Sequence, residues 1–273
     1  MGDDSVLRTV VLVHGFFRQG RNMRYLARKL ESRGYNAFVP TLPTTFRNVR
    51  ECSESLAEMI EKNVPGDGVV HFVGYSMGGL VIRDYLSRKV VEGLGRVVLI
   101  GTPNGGSPYA NLLLEIPLSR QVLESLPDLA EPGPDIGPPL NVPAPEIGIV
   151  IGTRPDFVRK LLLPGEHDGI VPAESVRRIA AGGEMLVPCP HEWLHWRTDT
   201  AEGVASFLET GRFLPDERNS EEEMTTSPKT LEKALALIVK DPGILDNLDM
   251  PNIPTPTMGG AVFWSNLDRK SVV

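Results

Sequence analysis

Gly74-Tyr75-Ser76-Met77-Gly78 sets one hydroxyl between glycines two positions before and two positions after it. A serine in that frame suits a sharp turn from a strand into a helix. Such a turn leaves the hydroxyl exposed at a sheet edge, where it can attack a carbonyl carbon. Small flanking residues are needed because bulkier ones would clash in the turn. Alone the motif is weak, and its setting is what makes it specific. The β-branched run Val69 to Val73 precedes it, and apolar residues at helical spacing follow from Leu80 to Val91.

A serine nucleophile needs a base, an acid that orients the base, and two N–H donors aimed at the oxyanion. The donors expected are the main chain of Met77, next to the serine, and of Phe16 in the loop after the first strand, with Phe17 as the alternative. His14, at the start of that loop, is expected to brace it by hydrogen bonds. The acid expected is Asp168 in Glu166-His167-Asp168-Gly169, with Glu166 and Asp156 as alternatives. The base comes from His191-Glu192-Trp193-Leu194-His195. His191, directly after the Pro188-Cys189-Pro190 loop, is the expected base, and His195 is the alternative.

That last stretch also fits H-E-x-x-H, in which two histidines one helical turn apart hold zinc. A zinc site needs the motif inside a stable helix and a third ligand downstream. Pro188 and Pro190 leave it at best in a first turn. Only Glu202 and Glu209 are nominal third ligands. A serine hydrolase without metal or cofactor is the expectation.

The elements that must position these residues alternate. Strands are expected at Thr9 to Val13, Asn36 to Pro40, Val69 to Val73, Arg96 to Ile100, Ile147 to Ile151 and Met185 to Val187. Helices are expected at Asn22 to Ser32, Ser53 to Asn63, Leu80 to Val91, Glu174 to Ala181 and Thr198 to Thr210. Such alternation implies a mostly parallel sheet with helices on both faces. Residues 102–146 break the pattern. They are rich in Pro and Gly, with one apolar patch at Leu112 to Ile116, and read as a cap or lid. Past residue 212 the chain turns charged and polar, with one helix expected at Thr230 to Lys240. Residues 213–273 therefore read as a linker and a small helical or partly disordered tail.

Composition narrows the class further. The chain has 273 residues, 41% of them hydrophobic, enough for one large α/β domain over residues 1–212. The net charge of -7 argues against a nucleic-acid partner, which would need a basic face. Two distant cysteines, Cys52 and Cys189, suggest buried thiols and no disulfide framework. Neither a signal peptide nor a membrane span is legible, so a cytoplasmic protein is the expectation.

The motifs His14-Gly15-Phe16-Phe17, Gly74 to Gly79, Gly101-Thr102-Pro103-Asn104-Gly105-Gly106-Ser107 and Glu166 to Pro172 occur in an order that resembles the α/β-hydrolase superfamily. The resemblance covers about residues 6 to 212 and is strongest to compact bacterial lipases and esterases. It implies a sheet of about six strands flanked by helices, with the cap inserted after the strand that follows the serine. It implies a Ser76-Asp168-His191 triad, an oxyanion hole from Phe16 and Met77, and hydrolysis of a carboxylic ester through an acyl-enzyme. An apolar ester or lipid is the substrate expected, with Phe16, Phe17, Met77 and the cap patch lining the acyl site. A thioesterase or depalmitoylase-like enzyme is the nearest alternative. A binding protein on a hydrolase fold, with the tail as its working part, is the alternative of another class.

Overall fold

The structure is a computed structural model that describes residues 7–213, apart from 67, 118, 157–158 and 160–164. The tail from 214 onward, with its expected helix, lies outside the described residues.

Six strands form one sheet: β1 (Arg8–Val13), β2 (Asn36–Phe38), β3 (Val69–Tyr75), β4 (Leu94–Ile100), β5 (Ile147–Gly152) and β6 (Gly183–Val187). Their order is β2-β1-β3-β4-β5-β6, and every pairing is parallel. The chain leaves β1 to one side for β2, then returns past it to build the rest. In such sheets the crevice at the carboxyl ends of the strands, where the order reverses, is where ligands bind.

The period of two along each strand feeds two cores. Val11 and Val13 of β1 pack with Leu56 of α2 (Val49–Asn63) and Leu80 of α3 (Met77–Leu86). Val10 and Leu12 face the other way, toward Leu26 and Leu30 of α1 (Arg24–Glu31) and Val204 and Phe207 of α8 (Thr198–Thr210). Each such fully buried side chain contributes roughly 1.5–3 kcal/mol. Cys52 and Cys189 lie in these cores as free thiols, each pushed up to about 12 by burial.

Helix boundaries differ from the sequence reading for local reasons. α2 starts four residues earlier than expected because Asn48 accepts the Glu51 N–H and Glu51 returns to the Asn48 N–H, a capping box. The first helix opens as a 3-10 turn over Gly20–Met23 before α1 begins. α3 begins directly after Ser76 and stops at Leu86. α7 (Ala173–Val176) is a single turn that stops short of the expected end at Ala181.

Residues 102–146 carry three short helices, α4 (Pro108–Leu114), α5 (Ser119–Val122) and α6 (Leu126–Leu129). Side chains tie this segment down. Arg83 donates to Asn104 Oδ1 and to the Ile136 carbonyl, and Asn141 exchanges two hydrogen bonds with the Val91 main chain. Among the described residues no helix is long and apolar enough to cross a membrane.

Candidate active site

The chain enters the site along β3. At its end Ser76 takes φ 54° and ψ -125°, a left-handed value that costs a non-glycine residue about 1–3 kcal/mol. Its N–H still bonds the Ile100 carbonyl at 2.8 Å, so the sheet ladder holds the turn. The glycines of the motif exist because the turn is tight. A Cβ on Gly74 would lie 2.5 Å from Gly79 Cα, and one on Gly78 would lie 2.3 Å from the Val13 carbonyl oxygen. Both distances are impossible for real atoms, so the positions admit only glycine.

Three side chains from distant parts of the chain meet here. His191 Nε2 lies 2.9 Å from Ser76 Oγ, and His191 Nδ1 lies 2.6 Å from Asp168 Oδ2. Asp168 is fully buried. Its Oδ1 accepts the N–H groups of Ile170 and Val171 at 3.0 and 2.7 Å, which fixes the carboxylate plane. His191 is itself 4% exposed, and its main-chain N–H bonds the Asp168 carbonyl at 2.9 Å. The arrangement can take a proton from the serine and stabilise the resulting imidazolium.

The loop after β1 closes the other side. A Cβ on Gly15 would sit 2.9 Å from Ser76 Cβ, so this loop lies directly against the serine. Among the described residues neither the Phe16 nor the Met77 N–H donates to a protein acceptor. His14 braces the loop. Its Nε2 accepts the Leu42 N–H at 3.0 Å and its Nδ1 donates to the Gly15 carbonyl at 3.0 Å. Burial lowers its pKa, consistent with a neutral ring. Phe17 takes φ 54° and is 58% exposed, its ring 4.3 Å from that of Phe16. The Met77 side chain departs from the expected acyl lining. It is fully buried in the core, which leaves only its main chain to serve the site. In the cap patch Leu112 and Ile116 are exposed, while Leu113 and Leu114 pack on the core.

The alternatives from sequence are placed elsewhere. Glu166 pairs with Arg177 at 3.3 Å, and Asp156 pairs with Arg159 at 3.3 Å. His195 is 1% exposed and neither ring nitrogen has a hydrogen-bond partner among the described residues. Burial first, then Arg18 and His191, holds its pKa well below the usual histidine value. The residues His191–Trp196 form a 3-10 turn and no α-helix. At three residues per turn, positions four apart no longer share a face, as a pair of zinc ligands would require. Glu192 is bound to Arg159, and both ring nitrogens of His191 are already engaged.

Sequence reasoning passed over two other contributors. Gly101, at the end of β4, has φ 56°, and a Cβ there would meet the His191 ring at 3.1 Å. Gly152, at the end of β5, would drive a Cβ to 2.5 Å from that of Asp168. A signal for both was present. Glycine follows β4, ends β5 and lies two residues past β1 at one edge of the sheet, where side chains from other strands must cross.

The chain belongs to the alpha/beta hydrolase family, whose model matches residues 10–241. Among solved structures it is similar to a Bacillus licheniformis lipase in its mature form, at 18% identity and a TM-score of 0.61, covering 76% of this chain and 93% of that one. A metagenomic carboxyl esterase matches at 15% identity and TM-score 0.54, covering 70% and 66%. A type II thioesterase from a yersiniabactin pathway matches at 14% and 0.50, covering 72% and 90%. At these identities the likeness is one of fold. No curated protein sequence matches the chain.

Proposed function

We propose that this hydrolase cleaves carboxylic esters through a serine acyl-enzyme. One observation carries the reading: the buried chain Asp168–His191–Ser76, with bonds of 2.6 and 2.9 Å, ends on a serine held in a strained turn. His191 Nε2 takes the proton of Ser76 as Oγ bonds to the ester carbonyl carbon. The carbonyl oxygen becomes an oxyanion and accepts the N–H groups of Phe16 and Met77. His191 then returns the proton to the leaving alkoxide, and the alcohol departs. Water repeats the sequence on the acyl-enzyme and releases the acid. Asp168 keeps Nδ1 protonated and so presents Nε2 to the serine.

Phe16 and the exposed Phe17, on the loop that lies against the serine, favour an apolar acyl group, as in a small ester or a lipid. Turnover of p-nitrophenyl butyrate, compared with a butyryl thioester, tests the leaving group. The reading expects oxygen-ester hydrolysis that Ser76→Ala abolishes. A thioester preferred by more than about tenfold in kcat/KM would make the enzyme a thioesterase with the same machinery.

A further inference from the structure

We propose that Tyr75 and His195 form a packed aromatic support that positions His191 for proton transfer, an inference that rests on the reading of Ser76 and His191 above. Tyr75 precedes the serine on β3, so its side chain points to the opposite face of the sheet. There it packs with Leu194 and Cys189. From that side it reaches under the base. Its hydroxyl donates to the His191 carbonyl at 3.0 Å, over 116 residues of sequence. Burial pushes its phenol pKa far up, so it remains a donor. With the His191 N–H bound to the Asp168 carbonyl at 2.9 Å, the main chain of the base is held on both sides. One clamp is the acid and the other is the residue beside the nucleophile.

The rings continue the support. The Tyr75 ring lies 5.2 Å from the His191 ring and 4.0 Å from the His195 ring. His195 in turn lies 5.4 Å from Trp196, which lies 6.1 Å from Tyr25 on α1. A column of rings thus runs from the base to the first helix. His195 makes no hydrogen bond through either nitrogen among the described residues. What it offers is a ring face. Tyr75 is therefore a positioning residue that acts through its hydroxyl, and His195 one that acts through its shape.

The test uses the full chain with p-nitrophenyl butyrate, with a fluorophosphonate labelling rate and a melting temperature for each variant. Tyr75→Phe keeps the ring and loses the hydroxyl. Its kcat and labelling rate are expected to fall about tenfold, with KM within about twofold, since a small misplacement of the base slows only the chemical steps. His195→Ala is expected to lose a similar factor, and His195→Phe to restore it. The proton NMR signal of the His191 Nδ1–H is expected to shift or broaden in Tyr75→Phe. A folded Tyr75→Phe with wild-type kcat and an unchanged signal overturns the support role, as does His195→Phe no better than His195→Ala. A wild type that is never labelled overturns the serine reading and this inference with it. A labelled wild type with an unaffected Tyr75→Phe overturns the inference alone.

Discussion

A buried histidine lies by each end of strand β3, and the two have different partners. Near its start His71 is 5% exposed, and its Nδ1 accepts the Arg96 N–H at 2.9 Å. Arg96 is itself tied to Glu146 and to the Leu208 and Glu209 carbonyls. Burial first, then the charges of Arg96 and Arg8, takes the His71 pKa down to about 4. Past the other end, His191 is equally buried, but its ring nitrogens go to a hydroxyl and a carboxylate. One side can give up a proton and the other can stabilise a charge. Strain divides the ends as well. Among the described residues the non-glycine positive φ values belong to Phe17 and Ser76, both at the carboxyl edge.

The sharpest way to break this contrast is to change a partner and keep the burial. Asp168→Asn leaves the packing and presents the wrong His191 tautomer to the serine. Its kcat on p-nitrophenyl butyrate is expected to fall by about 10⁴, with the melting temperature nearly unchanged. A loss under tenfold would remove Asp168 from the proposed mechanism.

A smaller effect is expected from crowding. Gly101→Ala forces a Cβ against the His191 ring at a positive φ. It should destabilise the fold by about 1–3 kcal/mol and lower kcat by roughly 10²-fold. Gly182→Ala, before β6 at the opposite edge, meets only the Ile147 carbonyl at 3.8 Å and should change neither. Equal effects from both would show that the carboxyl edge is not special.

A further effect concerns acid. A histidine whose folded pKa lies below its unfolded value of 6.5 stabilises the fold fully above pH 6.5. That contribution is lost as pH falls toward the folded value, for His71 about 4. Urea unfolding from pH 7 to 4 should show His71 withdrawing about 3 kcal/mol. His71→Gln, which can still accept from Arg96, should flatten that slope. A slope untouched by the variant would contradict the burial argument for this end of β3.

Much of this architecture is legible in the residues because short-range rules suffice for it. The β-branched runs before Gly15 and Gly74 announce buried strands, and each one forms. The turn at Ser76 is legible because glycine spacing, a preceding strand and a following helix all agree. Other features depend on distance in the chain. The helix expected from Leu80 starts at Met77 and takes in Gly78 and Gly79. They are there because Val13 and Thr102 press against them from other elements. His191 and His195 are one short segment in sequence. What separates them is that one ring reaches Ser76 and Asp168 while the other packs against the Tyr75 ring, and a 3-10 turn decides which. The Tyr75 hydroxyl meets a carbonyl 116 residues away, beyond any local rule.

The measurement that bears most directly on the central claim is the intact mass of the full chain after incubation with a fluorophosphonate, with and without a chelator. The account predicts a single adduct, mapped to the peptide holding Ser76, absent in Ser76→Ala and indifferent to the chelator. Well-folded protein that takes no adduct, or an adduct that persists in Ser76→Ala, would contradict it.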